Sequence, residues 1–508
     1  MNVGDWVYYW SQFAPRKTAI IDEDREFSYG EVNERCNRVA NLLLQKGIAK
    51  GDRVAILSYN SHEFIEIYLA AAKIGAIFLP LNWRMAPPEI TSILNDCSPN
   101  VLFFAEDFLD TARFLKDNLE HLKYLITLGE EYIPWAERYE DMEAHPSTEP
   151  AGFAMPESED IQIMMYTSGT TGVPKGVMLS YRKTFFNALN ANIFFKLIPN
   201  DIFLVSRPLF HSGGLLINST PAFYKGATVI FKRRFTTQEF MDAIERYHVT
   251  IIEPSATFLN FLLKEYDTGL SGLKLLKSCY TGGERVPETM IREYHQRGIS
   301  LSQIFGMTET STLTWLATEN AYEKISSVGK PVFHGDVRVI NEQGDEITPG
   351  ETGEIRVRGP ILMSGYWSRP DLFGKVMVDG WYCTGDLATI DDEGYLYIID
   401  RATDMYISGG ENISPTEIEK LLLTNPKIFD VAIFGVPDDR WGEVGKAAIM
   451  LKDGERINAE EIVQFLEGKI GKYKIPKYIE FVDQIPRTAS GKIQRYLLIE
   501  KFKKGSGL

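Results

Sequence analysis

The residues best suited to chemistry lie in one short loop, Tyr166-Thr-Ser-Gly-Thr-Thr-Gly-Val-Pro-Lys-Gly176. An apolar run over residues 161–166 predicts a strand that leads into it. The glycines let backbone N–H groups approach an anion, the hydroxyls add hydrogen bonds, and Lys175 supplies positive charge. Backbone N–H groups, hydroxyls and a positive charge are what binding of a triphosphate requires. A plain Ser/Thr/Gly surface turn is the alternative, and it is disfavoured by the Lys-Gly pair that closes the loop.

The loop differs from two common nucleotide-binding motifs. A P-loop has four residues between its first glycine and a Gly-Lys-Ser/Thr end, whose hydroxyl binds Mg²⁺. Here Pro174 precedes Lys175 and Gly176 follows it, so that hydroxyl is missing. The spacing also differs from the G-x-G-x-x-G turn of dinucleotide-binding folds. We therefore expect a different nucleotide architecture.

Five further motifs follow the loop in order: Phe305-Gly-Met-Thr-Glu309, Tyr382-Cys-Thr-Gly-Asp386, Asp400-Arg401, Ser408-Gly-Gly-Glu-Asn412 and Arg487-Thr-Ala-Ser-Gly-Lys492. Together the six motifs resemble the adenylate-forming superfamily of acyl-CoA synthetases, luciferases and peptide-synthetase adenylation domains, over nearly the whole chain. The resemblance implies an acid–thiol ligase that uses ATP and Mg²⁺. Such an enzyme forms acyl-AMP and pyrophosphate from a carboxylic acid, and then transfers the acyl group to coenzyme A.

The resemblance also implies the catalytic residues. Lys492 would stabilise the pentacoordinate transition state, and a lysine about 4 Å from a unit charge is worth roughly 4 kcal/mol at an effective dielectric of 20. Thr308 would bind the α-phosphate. Glu309, with Thr167, would hold Mg²⁺, which prefers hard oxygen ligands. Taken alone, Lys492 would be a solvated lysine and Thr308-Glu309 a solvated turn.

Other motif positions would bind the nucleotide or coenzyme A. Gly282, Gly283, Glu284 and Phe305 would line the adenine pocket. Phe305 would stack on the base, at a position where relatives usually have tyrosine. Asp386 would accept hydrogen bonds from the ribose hydroxyls. Arg401 would also contact the ribose; otherwise it would form an interdomain ion pair. The predicted binding residues are Thr167, Ser168, Gly169, Thr170, Thr171, Lys175, Gly282, Gly283, Glu284, Phe305, Gly306, Met307, Asp386, Ile398, Arg401, Gly409 and Gly410.

The segment Pro208-Leu-Phe-His211-Ser-Gly-Gly-Leu215 resembles the region that walls the acyl pocket. Amino-acid adenylation domains typically have aspartate after the phenylalanine, where it pairs with the substrate's ammonium group. His211 takes that place here, which disfavours amino acids because their cationic group would be left unpaired. An ordinary core or surface histidine is the alternative. The rest of the predicted wall comprises Leu215, Tyr280, Thr281, Thr310 and Ser311, which suits an aliphatic or an aryl acid.

Apolar runs and helical patterns alternate along the chain, which predicts an α/β fold with helices that cover sheets. One example is a strand over residues 52–57, a helix over 63–74 and a strand over 76–81. By the resemblance, a large N-terminal multi-sheet domain would span 1–402, and a small mobile domain 403–508. In the small domain we predict helices over 415–423 and 459–470 and a strand over 431–436. Relatives commonly have Asp or Lys at the hinge, where this chain has Thr403.

Composition narrows the function further. A net charge of −15 over 508 residues disfavours non-specific nucleic-acid binding. Four scattered cysteines without a C-x-x-C pair indicate neither a disulfide scaffold nor a zinc site. No signal peptide, membrane span or peroxisomal S-K-L ending is recognised, so we expect a cytoplasmic protein without integral membrane association. Oligomeric state stays open, with a homodimer as one option.

Three alternatives accompany the acyl-CoA synthetase hypothesis. The protein could load a separate acyl-carrier protein, but no fused carrier domain is recognised, which favours free coenzyme A. It could be a nucleotide-binding protein that has lost catalysis, although such a protein would not need Lys492. A luciferase-like oxygenase shares the scaffold, and no feature of the sequence favours it.

Overall fold

The computed structural model describes residues 2–167, 174–266, 270–283, 286, 288–341, 343–401, 405–486, 495, 498–499 and 501–502. Its α-helices are α1 Asp5–Phe13, α2 Tyr29–Gln45, α3 His62–Ile74, α4 Pro87–Cys97, α5 Leu109–Asn118, α6 Tyr181–Phe194, α7 Thr220–Lys225, α8 Thr237–Tyr247, α9 Ala256–Glu265, α10 Glu288–Gln296, α11 Pro370–Val376, α12 Pro415–Leu422 and α13 Ala459–Leu466. Short 3₁₀ turns occur at Glu106–Phe108, Tyr139–Ala144, Ser271–Leu275, Thr318–Asn320 and Lys472–Lys474, and a π-helical segment at Gly213–Ser219.

The strands are β1 Thr18–Asp22, β2 Arg25–Ser28, β3 Arg53–Leu57, β4 Ile77–Pro80, β5 Val101–Phe104, β6 Tyr124–Thr127, β7 Glu137–Arg138, β8 Ile161–Thr167, β9 Lys175–Ser180, β10 Ile202–Leu204, β11 Thr228–Phe231, β12 Ile251–Ile252, β13 Ser278–Gly282, β14 Leu301–Met307, β15 Ser311–Trp315, β16 Lys330–Pro331, β17 Asp336–Ile340, β18 Thr352–Arg358, β19 Gly365–Tyr366, β20 Met377–Val378, β21 Trp381–Ile390, β22 Leu396–Arg401, β23 Tyr406–Ser408, β24 Glu411–Ile413, β25 Ile428–Asp438, β26 Gly442–Leu451 and β27 Tyr478–Phe481.

The chain divides into two compact units. The larger one comprises Met1–Trp83, Leu94–Tyr166 and Gly176–Asp400, and the smaller one comprises Arg84–Ile93, Thr167–Lys175 and Arg401–Leu508. The predicted boundary between residues 402 and 403 lies outside the described residues, so it stays a prediction.

A nine-stranded sheet dominates the larger unit, in the order β16-β15-β14-β13-β12-β10-β11-β1-β2. Its centre is parallel, because α7, α8, α9 and α10 each return the chain to begin the next strand on the same side. The central strands are almost wholly buried. All of their carboxyl ends therefore lie at one edge, where ligands bind in open α/β sheets.

An eight-stranded sheet follows the order β19-β9-β8-β4-β3-β5-β6-β7. Within it the predicted strand–helix–strand pattern is confirmed, as β3, α3 and β4 with ends shifted by one residue. The apolar runs are continuous because both faces of these parallel strands are covered. A third, antiparallel sheet, β17-β18-β21-β20 with β22 beside β21, completes the larger unit. The α/β fold class is thus confirmed.

The smaller unit is built on the sheet β24-β23-β26-β25, with β27 parallel to β26. Its core gathers apolar residues from α12, α13 and the long hairpin of β25 and β26. The predicted helix at 415 and the strand at 431 are confirmed. The predicted helix 459–470 is too long, because α13 ends at Leu466 and Gly468 adopts a positive φ of 74° that a helix cannot contain.

Among the described residues, no helix combines the length and the apolar character needed to span a bilayer.

Candidate active site

Two predicted nucleotide-binding segments lie side by side at the carboxyl edge of the nine-stranded sheet. Gly282 is the last residue of β13, and Phe305, Gly306 and Met307 are the last residues of β14. The strands pair in parallel, with Gly282 opposite Ile304. A side chain on Gly282 would lie 2.1 Å from the Ile304 carbonyl oxygen, so only glycine fits. The sheet thus joins two motifs that are distant in sequence.

The predicted catalytic pair Thr308 and Glu309 occupies the turn between β14 and β15. The Thr310 N–H donates to the Met307 carbonyl at 3.1 Å and closes the turn. Ser311 begins β15 with φ +57°, a conformation that side chains other than glycine rarely adopt. Such a constrained turn fixes where the Glu309 carboxylate points.

Glu309 is buried, and its Oε1 accepts a hydrogen bond from the Tyr366 hydroxyl at 3.1 Å. Burial and the Glu309 charge raise the pKa of Tyr366, which therefore stays a neutral donor. In the part of the chain that the structure describes, the other Glu309 oxygen receives no hydrogen bond. A buried carboxylate held through one oxygen suits a hard cation. Motif spacing missed Tyr366 because it lies 57 residues away.

Lys183 is a second residue at this turn that sequence reasoning missed. It lies in the first turn of α6, is almost fully buried, and donates to Ser311 Oγ at 2.5 Å. Burial lowers the pKa of Lys183 to about 7, against a smaller opposing effect of the Glu309 charge. The local sequence gives no sign that Lys183 is buried, because lysine is almost always exposed unless it is paired.

His211 lies in the loop that follows β10. Its N–H donates to the Pro208 carbonyl, and its own carbonyl accepts from Leu215 N–H at the start of the π-helical segment. The half-buried ring lies 4.5 Å from the ring of Phe210, which in turn meets Trp83 edge-on. His211 therefore lies among aromatic side chains.

The other residues of the predicted acyl wall are all buried: Leu215, Tyr280, Thr281, Thr310 and Ser311. Tyr280 donates to the Phe194 carbonyl at 3.4 Å and its ring packs against Phe195, so its side chain lies in the core. Thr281 donates to the Pro254 carbonyl at 2.9 Å. Thr310 and Ser311 adjoin Glu309.

Asp386 and Ile398, both predicted to contact the nucleotide, lie on the third sheet. Asp386 is buried in β21, and its N–H donates to Thr384 Oγ1 at 3.1 Å. Ile398 in β22 packs against the same apolar cluster as Phe305. Gly385 has φ +75° and its N–H donates to Glu354, which shapes the chain just before Asp386.

Several predicted residues are described only in part. Thr167 ends β8 and Lys175 begins β9. Gly283 follows β13 with φ +76°. Arg401 ends β22, and its side chain lies outside the described part of the structure.

Gly409 and Gly410 form the turn between β23 and β24, and both have positive φ. The Trp441 ring lies 3.0 Å from where a Cβ on Gly409 would be. Outside the described residues lie Ser168, Gly169, Thr170, Thr171, Glu284, Thr403 and Lys492.

Another cluster was not predicted. Asp22, His62 and Glu63 form the one group of three His, Cys, Asp or Glu side chains within the described ranges that could hold a metal. Asp22 Oδ2 accepts from the His62 backbone N–H at 2.9 Å and lies 2.6 Å from His62 Nδ1. These contacts cap the first residue of α3, so the cluster has a structural role in the helix.

The sequence matches the AMP-binding enzyme family over residues 8–367 and the AMP-binding enzyme C-terminal domain over residues 417–492. This chain belongs to the AMP-binding enzyme family. It is 38% identical over 501 residues to an indoleacetate–CoA ligase of Aromatoleum aromaticum, with 97% of each chain covered. A feruloyl-CoA synthase of Amycolatopsis is 36% identical over 493 residues, again with 97% of each chain covered.

Among solved structures, o-succinylbenzoate CoA synthetase of Bacillus subtilis, bound with a product analogue, matches with a TM-score of 0.87 and 30% identity over 98% of both chains. The chain is therefore an ATP-dependent, AMP-forming carboxylate–CoA ligase. It activates a carboxylic acid as an acyl-adenylate and transfers the acyl group to coenzyme A. The family resemblance is confirmed, and the carrier-loading and inactive alternatives are not favoured.

Proposed function

We propose that this ligase activates an aryl or arylalkyl carboxylic acid, and that the acid and ATP meet at the carboxyl edge of the nine-stranded sheet. The single observation that carries the proposal is the convergence of separate sequence segments there. The His211 loop follows β10, Gly282 and Gly283 follow β13, and the Glu309 turn follows β14.

Two further observations support an aromatic acid. The ring of His211 lies 4.5 Å from that of Phe210, which in turn lies 6.0 Å from Trp83. Aromatic side chains pair favourably with an aromatic substrate at ring separations of about 4.5–7 Å. The relatives at 38% and 36% identity are named for indoleacetate and ferulate, which are both aromatic acids. An aliphatic acid is the alternative.

Mg²⁺ fits the donor set at Glu309. The oxygen of Glu309 that accepts no hydrogen bond within the described residues would be its ligand, together with the predicted Thr167 hydroxyl and phosphate oxygens. The ion would supply charge neutralisation for the triphosphate. Tyr366 would hold the Glu309 carboxylate in one orientation, so that little reorganisation accompanies metal binding.

We assign the first half-reaction to these residues as follows. A carboxylate oxygen of the acid attacks the α-phosphorus, the bond to the bridging oxygen breaks, and pyrophosphate leaves with that electron pair. Thr308 would donate to an α-phosphate oxygen. Lys492 would stabilise the charge that concentrates in the transition state, where differential stabilisation raises the rate.

In the second half-reaction, the thiolate sulfur of coenzyme A attacks the acyl carbonyl, and AMP leaves with the mixed-anhydride oxygen. Gly409 and Gly410 would border the thiol path, since both glycines adopt positive φ and leave the turn free of side chains. The rotation of a domain of residues 403–508 between the two half-reactions stays a prediction, as does the hinge at Thr403.

The test is a pyrophosphate-release screen over short, medium and long aliphatic acids and over aryl and arylalkyl acids, with and without coenzyme A. We expect indole-3-acetate or a hydroxycinnamate to give the highest kcat/KM. A straight-chain acid that exceeds every aromatic acid would refute the substrate class. If coenzyme A leaves pyrophosphate release unaffected and a carrier protein becomes acylated, coenzyme A is not the acyl acceptor.

Lys492→Ala separates the half-reactions. We expect acid-dependent pyrophosphate release to fall by about 100-fold or more, the range for loss of one transition-state donor, while thioester formation from supplied acyl-adenylate persists. Lys501→Ala is the control, because it removes an exposed lysine from the same tail. Equal decreases in the rates of both half-reactions would contradict the proposed role of Lys492.

A further inference from the structure

Arg207 connects three segments at the carboxyl edge of the nine-stranded sheet. Its Nε donates to the Glu253 carbonyl at 3.0 Å, and its Nη2 donates to the Gly282 carbonyl at 2.6 Å. The same Nη2 lies 2.7 Å from Glu253 Oε1. The two side chains are only 12% and 2% exposed. Arg207 thus holds the end of β13 and the residue after β12 through a buried ion pair.

The pair also fixes the loop that carries His211. Glu253 Oε2 accepts from Asn218 Nδ2 at 3.2 Å, which ties it to the π-helical segment Gly213–Ser219. Gly213 lies so close that a side chain there would come within 2.9 Å of Arg207 Cδ. Asn60 bonds both the Arg207 carbonyl and the Leu209 N–H at 2.8 Å. The loop can therefore move only if these contacts rearrange.

One guanidinium consequently touches both halves of the proposed site. On one side it contacts the backbone of Gly282, next to Gly283, which are predicted adenine-pocket residues. On the other side it begins the loop of His211, the predicted acyl residue. Arg207 is suited to such a bridge because its planar donors point in fixed directions, whereas a lysine offers a single flexible ammonium. In a buried, low-dielectric setting these bonds resist rearrangement.

We propose that the Arg207–Glu253 pair is a positioning device that couples acid binding to ATP binding, so that each ligand tightens the binding of the other. The inference rests on the proposed function, since it needs the acid near His211 and adenine near Gly282. A ligand in one half shifts the pair and its glycines through these shared bonds, and the second ligand then meets a site that is already adjusted. Such coupling is reciprocal by thermodynamic necessity.

The experiment measures this linkage directly. α,β-Methylene-ATP cannot release pyrophosphate, so its dissociation constant is measured by calorimetry with and without saturating indole-3-acetate, and then in the reverse order. We expect wild-type protein to bind each ligand more tightly when the other is present, by the same factor in both orders. Arg207→Met should lower that factor by about tenfold, within the usual range for coupling between sites.

A matched control exists in the same unit. Arg35 and Glu66 form an ion pair with the same 2.7 Å distance and similar exposure, 15% and 0%, between α2 and α3. Arg35→Met should lower the unfolding midpoint about as much as Arg207→Met does, and should leave the coupling factor unchanged. If Arg35→Met also abolished the coupling, lower stability of the whole unit would explain the loss, and the proposal would fail.

Two further variants keep the test decisive if Arg207→Met folds poorly. Arg207→Lys keeps the charge and should restore part of the coupling, and Glu253→Gln keeps the shape and should lose most of it. A wild-type protein without mutual tightening, or an Arg207 variant that retains the full factor, would overturn the proposal. If the screen ranks another acid first, that acid replaces indole-3-acetate, so failure of the proposed substrate class does not affect this test.

Discussion

Lys73 and Lys183 are buried to almost the same degree, with 2% and 1% exposure, in different regions of the larger unit. Lys73, on α3 in the scaffold, donates to Glu149 Oε2 at 2.6 Å and to Asn33 Oδ1 at 3.0 Å. Lys183, beside the Glu309 turn, donates only to the Ser311 hydroxyl among the described residues. The scaffold pairs its buried charge with a carboxylate, whereas Lys183 forms no ion pair with a carboxylate in the described parts of the chain.

The same contrast extends to neighbouring residues. In the scaffold Glu66 accepts from both Arg35 and Tyr139, at 2.7 and 2.6 Å. At the site Ser311 has a positive φ, and burial lowers the pKa of Lys183 to about 7. At the proposed site a residue with positive φ and a buried lysine with a lowered pKa occur together, as expected where a charged substrate binds, because a site arranged for such a substrate is destabilising while it is empty.

Breaking the scaffold network should have the largest effect on stability. Glu66→Gln removes the charge that balances the buried Arg35, so we expect a loss of about 3 kcal/mol or more in unfolding free energy, with unchanged kcat. Urea unfolding and steady-state kinetics measure both. Asp24→Asn, in the exposed pair with Arg246, is the control and should cost less than about 1 kcal/mol. A large decrease in kcat for Glu66→Gln would contradict the assignment of Glu66 to the scaffold.

At the site, the largest effect should be on catalysis. Glu309→Gln keeps an acceptor for Tyr366 but removes the charge, so acid-dependent pyrophosphate exchange should fall by about 100-fold, with little change in the unfolding midpoint. Raising the Mg²⁺ concentration should recover part of the loss. Tyr366→Phe removes only the positioning hydrogen bond and should have a smaller effect. Full activity of Glu309→Gln would exclude it as the metal ligand.

Lys183→Met should stabilise the protein at neutral pH. The folded-state pKa of Lys183 is about 7 against an ordinary 10.5, so only the unfolded chain holds this proton between those values, and wild-type stability rises as the pH rises through that window. The advantage of the variant should be largest at pH 7 or below, up to about 4 kcal/mol, and should shrink toward pH 9. Urea midpoints over this range measure it.

The kinetic outcome of Lys183→Met completes the comparison. Because Lys183 holds Ser311, two residues from Glu309, we expect kcat to fall even as stability rises. The matching scaffold change, Lys73→Met, should lower stability and leave kcat unchanged. If Lys73→Met lowered kcat and Lys183→Met did not, Lys73 rather than Lys183 would belong to the catalytic site.

The smallest effect should come from His62, which is buried at the start of α3. Burial alone lowers the pKa of His62, but its hydrogen bond to Asp22 and the charges of Glu66, Glu63 and Asp22 outweigh this and raise it above 6.5. The contribution of the protonated His62 to the free energy of unfolding is therefore fully present below pH 6.5. It is lost as the pH rises through the folded-state pKa. His62→Gln should therefore destabilise the protein more at pH 6 than at pH 9, as urea midpoints would show. A pH-independent cost would mean that His62 acts by packing alone.

Sequence patterns predicted much of the fold correctly. Continuous apolar runs mark β3 and β4, because both faces of these strands are buried. A helical pattern marks α3, in which every residue except Glu63 is buried. The end of α13 was predicted wrongly, since only the backbone angle of Gly468 shows that the helix has already stopped. Strand β12, with two residues, is too short to leave a pattern.

For this protein the sequence alone determined the family and the reaction, because the order and composition of six local motifs identify an adenylate-forming ligase. The tertiary structure alone decided how these motifs are held in place. The contacts of Tyr366 with Glu309, Arg207 with Glu253, and Lys183 with Ser311 join residues 57, 46 and 128 positions apart. Such contacts depend on which strand ends meet at one edge of the sheet, and long-range packing leaves no local pattern in the chain.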